Sequence, residues 1–336
     1  MRPTEPQNDA APLKAGLVLV TGGAGFIGSH LVEALAAGGA RVRVLDDLST
    51  GSLDNLAGVL PGGRVEFIGG GIEDEAALRK ALEGVEVIYH LAGMVSVPES
   101  LADPARCQKL NDLAVFNLYR AAAEAGVRRV VFSSSSAVYG EIEPPHHEEL
   151  CPRPNTPYAI YKLLGEHYGI YFQEFQSLET VVLRYFNVYG PRQRPDSPDS
   201  GVISIFMDSL LKGRPPHIFG TGEQTRDFVY VADVVRANLA AAGAFALDGR
   251  PFNIGSGRAV SINELYRTLA QLAEKPDLAP VYCDSRPGDI LHSFGPVDRA
   301  ANYLKIIPSV SLAEGLDRTW KWFAQASAEN HNRLDI

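Results

Sequence analysis

Tyr158 and Lys162 stand four residues apart in Pro157-Tyr158-Ala159-Ile160-Tyr161-Lys162. Thr156 can cap a helix there and Pro157 suits its first position, so the pair shares one helix face. A free phenol ionises near pH ~10, too high for a base at neutral pH. An ammonium one turn away favours the phenolate and brings that pKa toward the working range. The chemistry on offer is proton abstraction from a hydroxyl. Both residue types are common on helix surfaces, so the pair means little alone. A second feature is Ser133-Ser134-Ser135-Ser136, at the C-terminal end of the strand-like run Val130-Val131-Phe132. Ligands of open α/β sheets gather at such ends. A hydroxyl placed there can hydrogen-bond a substrate oxygen during proton transfer.

A third feature names a cofactor class. Thr21-Gly22-Gly23-Ala24-Gly25-Phe26-Ile27-Gly28 follows the apolar run Leu17-Val18-Leu19-Val20. It opens a pattern in which Ile27, Leu31, Ala34 and Leu35 share one face, so the order is strand, tight turn, helix start. Glycines at 22, 25 and 28 let backbone N–H groups approach a pyrophosphate, and the helix N-terminus adds a favourable dipole. A glycine cluster is a common turn signal, but here an acid follows in place. Arg41-Val42-Arg43-Val44-Leu45 reads as the next strand, ending at Asp46. That spacing suits a carboxylate accepting hydrogen bonds from an adenosine ribose. Asp46-Asp47 would repel a 2′-phosphate, which favours NAD over NADP.

The elements that must position these groups are legible as a rhythm. Strand-like segments at 17–21, 41–46, 65–68, 85–91, 127–133 and 179–185 alternate with helical patterns near 26–37, 74–83, 104–125 and 157–175. Alternation of this kind predicts βαβ units and a doubly wound, parallel Rossmann sheet of the α/β class. The strands are short Val, Ile and Leu runs, as buried parallel strands should be. Gly190-Pro191 and the polar stretch to residue 200 break the rhythm. Strands near 227–231 and 252–255 follow, with capping boxes at Ser261–Glu264 and Ser311–Glu314. Leu312, Leu316, Trp320 and Phe323 form one apolar helix face. The expected organisation is an NAD-binding domain over 15–190 that also receives about 227–257. A smaller, mixed α/β C-terminal lobe over 191–226 and 258–330 lies above the sheet, with a ligand cleft between. Residues 1–14, rich in Pro, Asn and Asp, read as a disordered leader.

Composition narrows the partners. The 336 residues suffice for a sizeable core, and the net charge of −9 with no basic run argues against nucleic acid and anionic membranes. Cys107, Cys151 and Cys283 are scattered and lack C-x-x-C spacing. They argue against a disulfide framework or zinc site and fit a reducing cytoplasm. No apolar stretch is long enough to span a bilayer, and the polar N-terminus lacks a signal-peptide core. His146-His147-Glu148-Glu149 follows two prolines and is not the helical H-E-x-x-H, so a solvated loop is expected and no metal.

Taken together, these features resemble the extended short-chain dehydrogenase/reductase family, and the resemblance runs nearly end to end. His90-Leu91-Ala92-Gly93, Arg184-Tyr185-Phe186-Asn187-Val188-Tyr189-Gly190-Pro191, Arg226-Asp227-Phe228-Val229-Tyr230-Val231 and Arg286-Pro287-Gly288-Asp289 look like motifs of its nucleotide-sugar epimerase branch. The resemblance implies a catalytic triad of Ser135, Tyr158 and Lys162. It implies NAD held by Gly22, Gly25, Phe26, Ile27, Gly28, Asp46, Asp47, Ser49, Gly51, Ile72, Leu91, Ala92, Gly93, Asn111, Ser133 and Phe186, besides Tyr158 and Lys162. A UDP-sugar would lie against Ser96, Ser135, Tyr158, Asn187, Val202, Phe219, Arg226, Arg286, Asp289 and Ser293. The two arginines suit a pyrophosphate, since guanidinium matches phosphate oxygens.

The implied reaction is 4-epimerisation through transient oxidation at C4. In the family the 4,6-dehydratases carry an Asp-Glu pair directly after the catalytic Thr. Ser136 and Ala137 stand there instead, which disfavours elimination and the related decarboxylation. Ser293 matches a gate position that is a bulky tyrosine in strict UDP-glucose epimerases, and the run His90–Ser100 resembles epimerases of N-acetylated hexosamines. UDP-GlcNAc/UDP-GalNAc is therefore the favoured pair, with UDP-Glc/UDP-Gal beside it. The Arg192–Asp196 stretch resembles uronate epimerases, which keeps UDP-glucuronate as an alternative. A non-catalytic NAD-sensing regulator is the rival from another class, but it need not keep the Tyr–Lys pair. The sequence also departs from the family. Gly71 stands where an Asp usually bonds the adenine amine, a loss of ~1 kcal/mol for one hydrogen bond. Ala114 and Val115 replace a Gly-Thr pair, and Arg194 and Asp199 replace an Asp and a Tyr. The helices near 104–125 and 157–175 form the dimer interface in relatives, so a cytoplasmic homodimer is expected.

Overall fold

A computed structural model describes residues 16–197, 200–244, 249–285 and 290–334. The chain starts with β1 (Leu17–Thr21), α1 (Phe26–Ala37), β2 (Arg41–Asp46), β3 (Val65–Gly69), α2 (Glu75–Leu82) and β4 (Val85–His90). Short helices α3 (Val97–Ala102) and α4 (Pro104–Gln108) lead through a π-turn at Lys109–Leu113 into α5 (Ala114–Glu124). Next come β5 (Arg129–Ser135), α6 (Pro157–Gln176), β6 (Glu179–Tyr185), β7 (Asn187–Tyr189), α7 (Val202–Leu211) and β8 (His217–Phe219). They are followed by β9 (Thr225–Arg226), β10 (Phe228–Tyr230), α8 (Val231–Gly243), β11 (Phe252–Ile254) and β12 (Val260–Ser261). The chain closes with α9 (Ile262–Leu272), β13 (Val281–Cys283), β14 (His292–Ser293) and α10 (Leu312–Leu334).

Seven strands form one parallel sheet in the order β11-β6-β5-β4-β1-β2-β3. The order reverses between β1 and β4, which is the switch point where such sheets bind ligands. Side chains alternate along each strand, so both faces are core. Val18, Val20, Val42, Val44, Val131 and Val181 pack on one face with residues of α1 and α8. Leu19, Leu45, Ile88, Val130, Phe132 and Val182 pack on the other with α2, α5 and α6. Burying a Val or Leu side chain is worth ~1.5–3 kcal/mol, so this two-faced layer fixes the strand ends firmly. Arg129 adds a polar clamp from inside the core. Its guanidinium donates to the carbonyls of Ala241, Ala242 and Ala244, at the C-terminal end of α8, at 2.7–2.9 Å.

A third apolar cluster joins Phe206, Met207, Leu265, Leu269, Leu316 and Phe323 of α7, α9 and α10, with Phe26 and Ile27 packed against it. The first turn of α1 therefore belongs to two cores at once. Both expected capping boxes hold their helix starts: Ser261 Oγ accepts from the Glu264 N–H at 3.0 Å and Ser311 Oγ from Glu314 at 3.3 Å.

Three expectations need correction. The fifth strand runs to Ser135 rather than ending at 133, because Ser133–Ser135 pair in register with Leu183–Tyr185 of β6. The helix expected near 104–125 is interrupted by the π-turn. That wide turn carries Asn111, whose amide closes both backbone groups of Met94 at 2.7–2.8 Å. The strand expected near 227–231 divides at Asp227, whose carboxylate accepts from Ser256 N, Ser256 Oγ and Gly257 N.

Candidate active site

A cavity of about 640 Å³ opens over the C-terminal ends of the central strands. Its floor is the glycine turn. Gly22 holds φ +69°, and a Cβ there would meet the Ala92 nitrogen at 2.8 Å. A Cβ on Gly28 would fall on the Gly22 carbonyl oxygen. No side chain caps the start of α1 at Gly25, so the first-turn N–H groups are left to a ligand, and the glycines at 22, 25 and 28 keep Cβ atoms off their part of the turn. That is the geometry a pyrophosphate needs. Asp46 lines the wall at the end of β2, and its carboxylate accepts from Ala24 N at 2.9 Å and Leu48 N at 2.8 Å. Burial raises its pKa, and those backbone donors oppose the shift. These residues fit the adenosine half of a dinucleotide.

The β4 end supplies Leu91, Ala92 and Gly93 to the same wall. Thr21 Oγ1 joins His90 Nδ1 at 2.8 Å and accepts from Ala92 N at 3.3 Å, locking β1 to this loop. His90 is fully buried, and desolvation, helped by the Lys162 charge, pushes its pKa down to about 3. A neutral imidazole therefore sits at the end of β4, its ring 5.6 Å from that of Phe132.

Tyr158 and Lys162 face the cavity from α6. Thr156 Oγ1 accepts from the Ala159 N–H at 3.3 Å, with Pro157 at the first helical position. Lys162 Nζ donates to the Ser133 carbonyl at 2.8 Å and lies 5.9 Å from the centroid of the Tyr158 ring. Burial lowers the Lys162 pKa to about 8, while Cys107 and Glu166 pull it back up. Ser135 ends β5 on the same wall, and its Oγ accepts from Ala137 N at 3.1 Å. With a lone pair so engaged, its hydroxyl proton can be given to a ligand oxygen.

The serines divide their work by strand alternation. Ser133 Oγ meets the Tyr185 hydroxyl at 3.0 Å, while Ser134 Oγ donates to Glu166 at 2.5 Å. Glu166 in turn takes Arg184 in a two-point pair at 2.7–2.9 Å, both side chains buried. Burial opposes the Arg184 charge, but hydrogen bonds and charge from Glu166 outweigh it and raise its pKa. This pair fastens α6, and with it Tyr158 and Lys162, to β6. The sequence reading missed it, although Glu166 lies one turn beyond Lys162 on the same face.

Of the remaining expected cofactor positions, Phe26, Ile27, Asp47, Ser49, Ile72, Ser133 and Phe186 line the cavity. Gly51 packs behind the wall, where a Cβ would crowd Ala24 and Asp46, and Asn111 braces Met94 from behind Gly93. Of the substrate positions, Asn187 and Val202 line the cavity. Ser96 instead caps α3 by accepting from Glu99 N at 3.2 Å. Phe219 ends β8, and Arg226 in β9 pairs with Ser293 in β14; none of the three lines this cavity. Arg286 and Asp289 lie outside the described residues, as does Asp199. Arg192 is engaged by Glu33 at 2.5 Å and by Ser29 Oγ at 3.2 Å, and is also off the wall. His146 stacks on Tyr139 with centroids 4.8 Å apart. Among the described residues no group of three His, Cys, Asp or Glu could hold a metal ion, and no helix is long and apolar enough to cross a membrane.

A doubly wound parallel sheet with a glycine cradle after β1, an acid at the end of β2 and a Tyr–Lys pair on the helix after β5 defines a Rossmann oxidoreductase-type site. The family model described as the NAD dependent epimerase/dehydratase family matches residues 18–255. The chain belongs to that family, in its nucleotide-sugar epimerase branch, and uses NAD. A UDP-glucose 4-epimerase of Thermotoga maritima, solved with UDP-glucose, is 40% identical with a TM-score of 0.88, covering 93% of this chain and 99% of that one. A UDP-N-acetylglucosamine 4-epimerase of Methanobrevibacter ruminantium, in complex with UDP-N-acetylmuramic acid, is 38% identical with a TM-score of 0.88, covering 94% and 100%. A UDP-glucuronic acid 4-epimerase variant of Bacillus cereus, in complex with a fluorinated substrate analogue and NAD, is 32% identical with a TM-score of 0.86, covering 92% and 99%.

Proposed function

We propose that the chain interconverts the C4 epimers of a UDP-hexose, favouring UDP-GlcNAc/UDP-GalNAc and accepting UDP-Glc/UDP-Gal. One observation carries the reading: Ser135, Tyr158 and Lys162 share a cavity with the glycine cradle, and the residues after Ser135 are Ser136 and Ala137. When bound, NAD supplies the two-electron acceptor and donor that inversion at C4 needs. Tyr158 takes the proton of the sugar 4-hydroxyl and later returns it. Lys162 holds the phenolate in place through its charge. Ser135 donates its hydroxyl proton to O4, stabilising charge as it develops there. The 4-ketopyranose turns about its diphosphate link between the two half-reactions. Nothing at 136 or 137 can act as acid or base for water loss, which supports epimerisation over elimination.

The N-acetyl preference draws support from the His90–Ser100 run and from the similarity to the Methanobrevibacter enzyme. UDP-glucuronate is the weaker alternative. Both cations of the stretch that suggested it are engaged, Arg192 by Glu33 and Arg194 by Asp196. Incubation of the purified chain with each UDP-sugar, without added NAD and with NMR detection of C4 epimers, tests the reading. Conversion of acetylated sugars first is the expected result, and no conversion of any UDP-sugar would overturn it. We further propose a cytoplasmic homodimer. Exposed Phe116, Ile160, Ile170, Tyr171 and Phe175 on α5 and α6 support the pairing, and light scattering in solution checks it.

A further inference from the structure

We infer that Glu73 reads the exocyclic amine of the NAD adenine, in the place left vacant by the missing side chain of Gly71. The strand order gives the location. The pyrophosphate cradle follows β1, the ribose-facing Asp46 ends β2, and the base must lie beyond, over the end of β3. There the wall is Gly70, Gly71, Ile72 and Glu73. Gly70 N donates to the Asp46 carbonyl at 3.1 Å, which ties this turn to the ribose position. Ile72 is buried and offers an apolar surface to a ring.

The Glu73 side chain folds back over Gly71. A Cβ built on Gly71 would fall on the Glu73 carboxylate itself. A side chain at 71 and the observed position of Glu73 therefore exclude each other. The neighbouring acids are committed elsewhere. Asp74 caps α2 through Ala76 N and Ala77 N at 2.9 and 3.1 Å, and Asp47 accepts from Ser49 N and Oγ at 2.9 and 2.6 Å. Glu73 makes no hydrogen bond or ion pair among the described residues. It is a half-buried carboxylate on a ligand cavity whose acceptor capacity is unspent. A carboxylate accepts and cannot donate, so it selects an amine over an oxo group at that edge of the base.

Binding of two dinucleotides tests this directly. Nicotinamide hypoxanthine dinucleotide differs from NAD in carrying an oxo group for the amine and a proton on ring N1. Titration calorimetry on the purified, nucleotide-stripped chain should give NAD an advantage of about tenfold, the size of one charge-assisted hydrogen bond at a partly exposed site. Glu73→Ala should weaken NAD by about tenfold and the hypoxanthine analogue hardly at all. Glu73→Gln, isosteric and able to donate, should bring the two affinities within about threefold of each other. Gly71→Asp placed on top of Glu73→Ala should restore most of the lost preference, because the new side chain then has room. An unchanged preference for NAD in Glu73→Ala, or a wild-type chain that binds both dinucleotides equally, would overturn the inference.

Discussion

The two sides of the cavity are built by different means. On the nucleotide side, Gly22–Gly28, Asp46 and Leu91–Gly93 sit at the ends of neighbouring strands of one seven-stranded sheet. Each is placed by partners a few residues or one strand away. On the opposite side, Asn187, Gln193, Val202 and Ile203 come from short strands, a loop and α7. Their frame is held by long-range polar contacts. Asn187 donates to the Asp227 carbonyl at 2.9 Å through its backbone, and Asp227 N donates to Ser293 O at 2.9 Å. One side is rigid because a parallel core leaves its strand ends no freedom. The other is assembled from loops and strands of two or three residues, with α7 anchored through Ile203 in the third apolar cluster. A fold of this design can keep one nucleotide site while the opposite side varies between relatives.

The largest expected effect belongs to the groups that bridge the two sides. Tyr158→Phe should lower turnover at least about a thousandfold while NAD stays bound, since only the proton transfer is lost. Retained turnover in the NMR assay would remove Tyr158 from the proposed role. On the nucleotide side, Gly28→Ala should cut NAD affinity by about a hundredfold or more, because its methyl group has no space beside the Gly22 carbonyl. Gly58→Ala, with nothing within 4 Å of its Cβ, should leave the co-purified NAD unchanged. Chromatography of the nucleotide released on denaturation reads both.

The ammonium of Lys162 gives a pH signature. With its pKa lowered to about 8, the charge that holds the phenolate is lost above that pH, so turnover should fall up to about tenfold per pH unit there. Stability moves the other way. Between about 8 and 10.5 the unfolded chain binds the proton that the folded chain has released, so this residue's contribution to stability rises with pH. Urea melts of wild type and Lys162→Met should therefore diverge in favour of wild type across that window. The smallest effect tests the side opposite the nucleotide. Ser293→Tyr should cost activity on acetylated sugars about tenfold and on UDP-glucose less. Equal loss on both would mean simple overpacking of a buried strand, worth ~1–3 kcal/mol, rather than a gate.

Much of this was legible in the chain itself. The run Leu17-Val18-Leu19-Val20 announces a strand buried on both faces, and β1 is one, with Val18 and Val20 in one core and Leu19 in the other. Thr156 and Pro157 announce the start of α6, and the two capping boxes hold α9 and α10. What was not legible is which distant polar groups find each other. Glu166 and Arg184 are 18 residues apart on a helix and a strand, and their pairing depends on how α6 rotates against β6. Nor was the setting of Ser293 legible, which the pairing of β14 with β9 places in a buried strand.

The sequence by itself determined the doubly wound fold, the NAD cradle and the Tyr158–Lys162 pair, because those rest on short-range physics. A missing Cβ at 22, 25 and 28 acts within one turn, and an i, i+4 spacing acts within one helix face. Only the tertiary structure decided that Ser134 serves Glu166 while Ser135 faces the cavity, that Arg192 is spent on Glu33, and that the Glu73 carboxylate covers Gly71. A side chain chooses its partner by position in space, and a buried charge must find one at whatever sequence separation the packing provides.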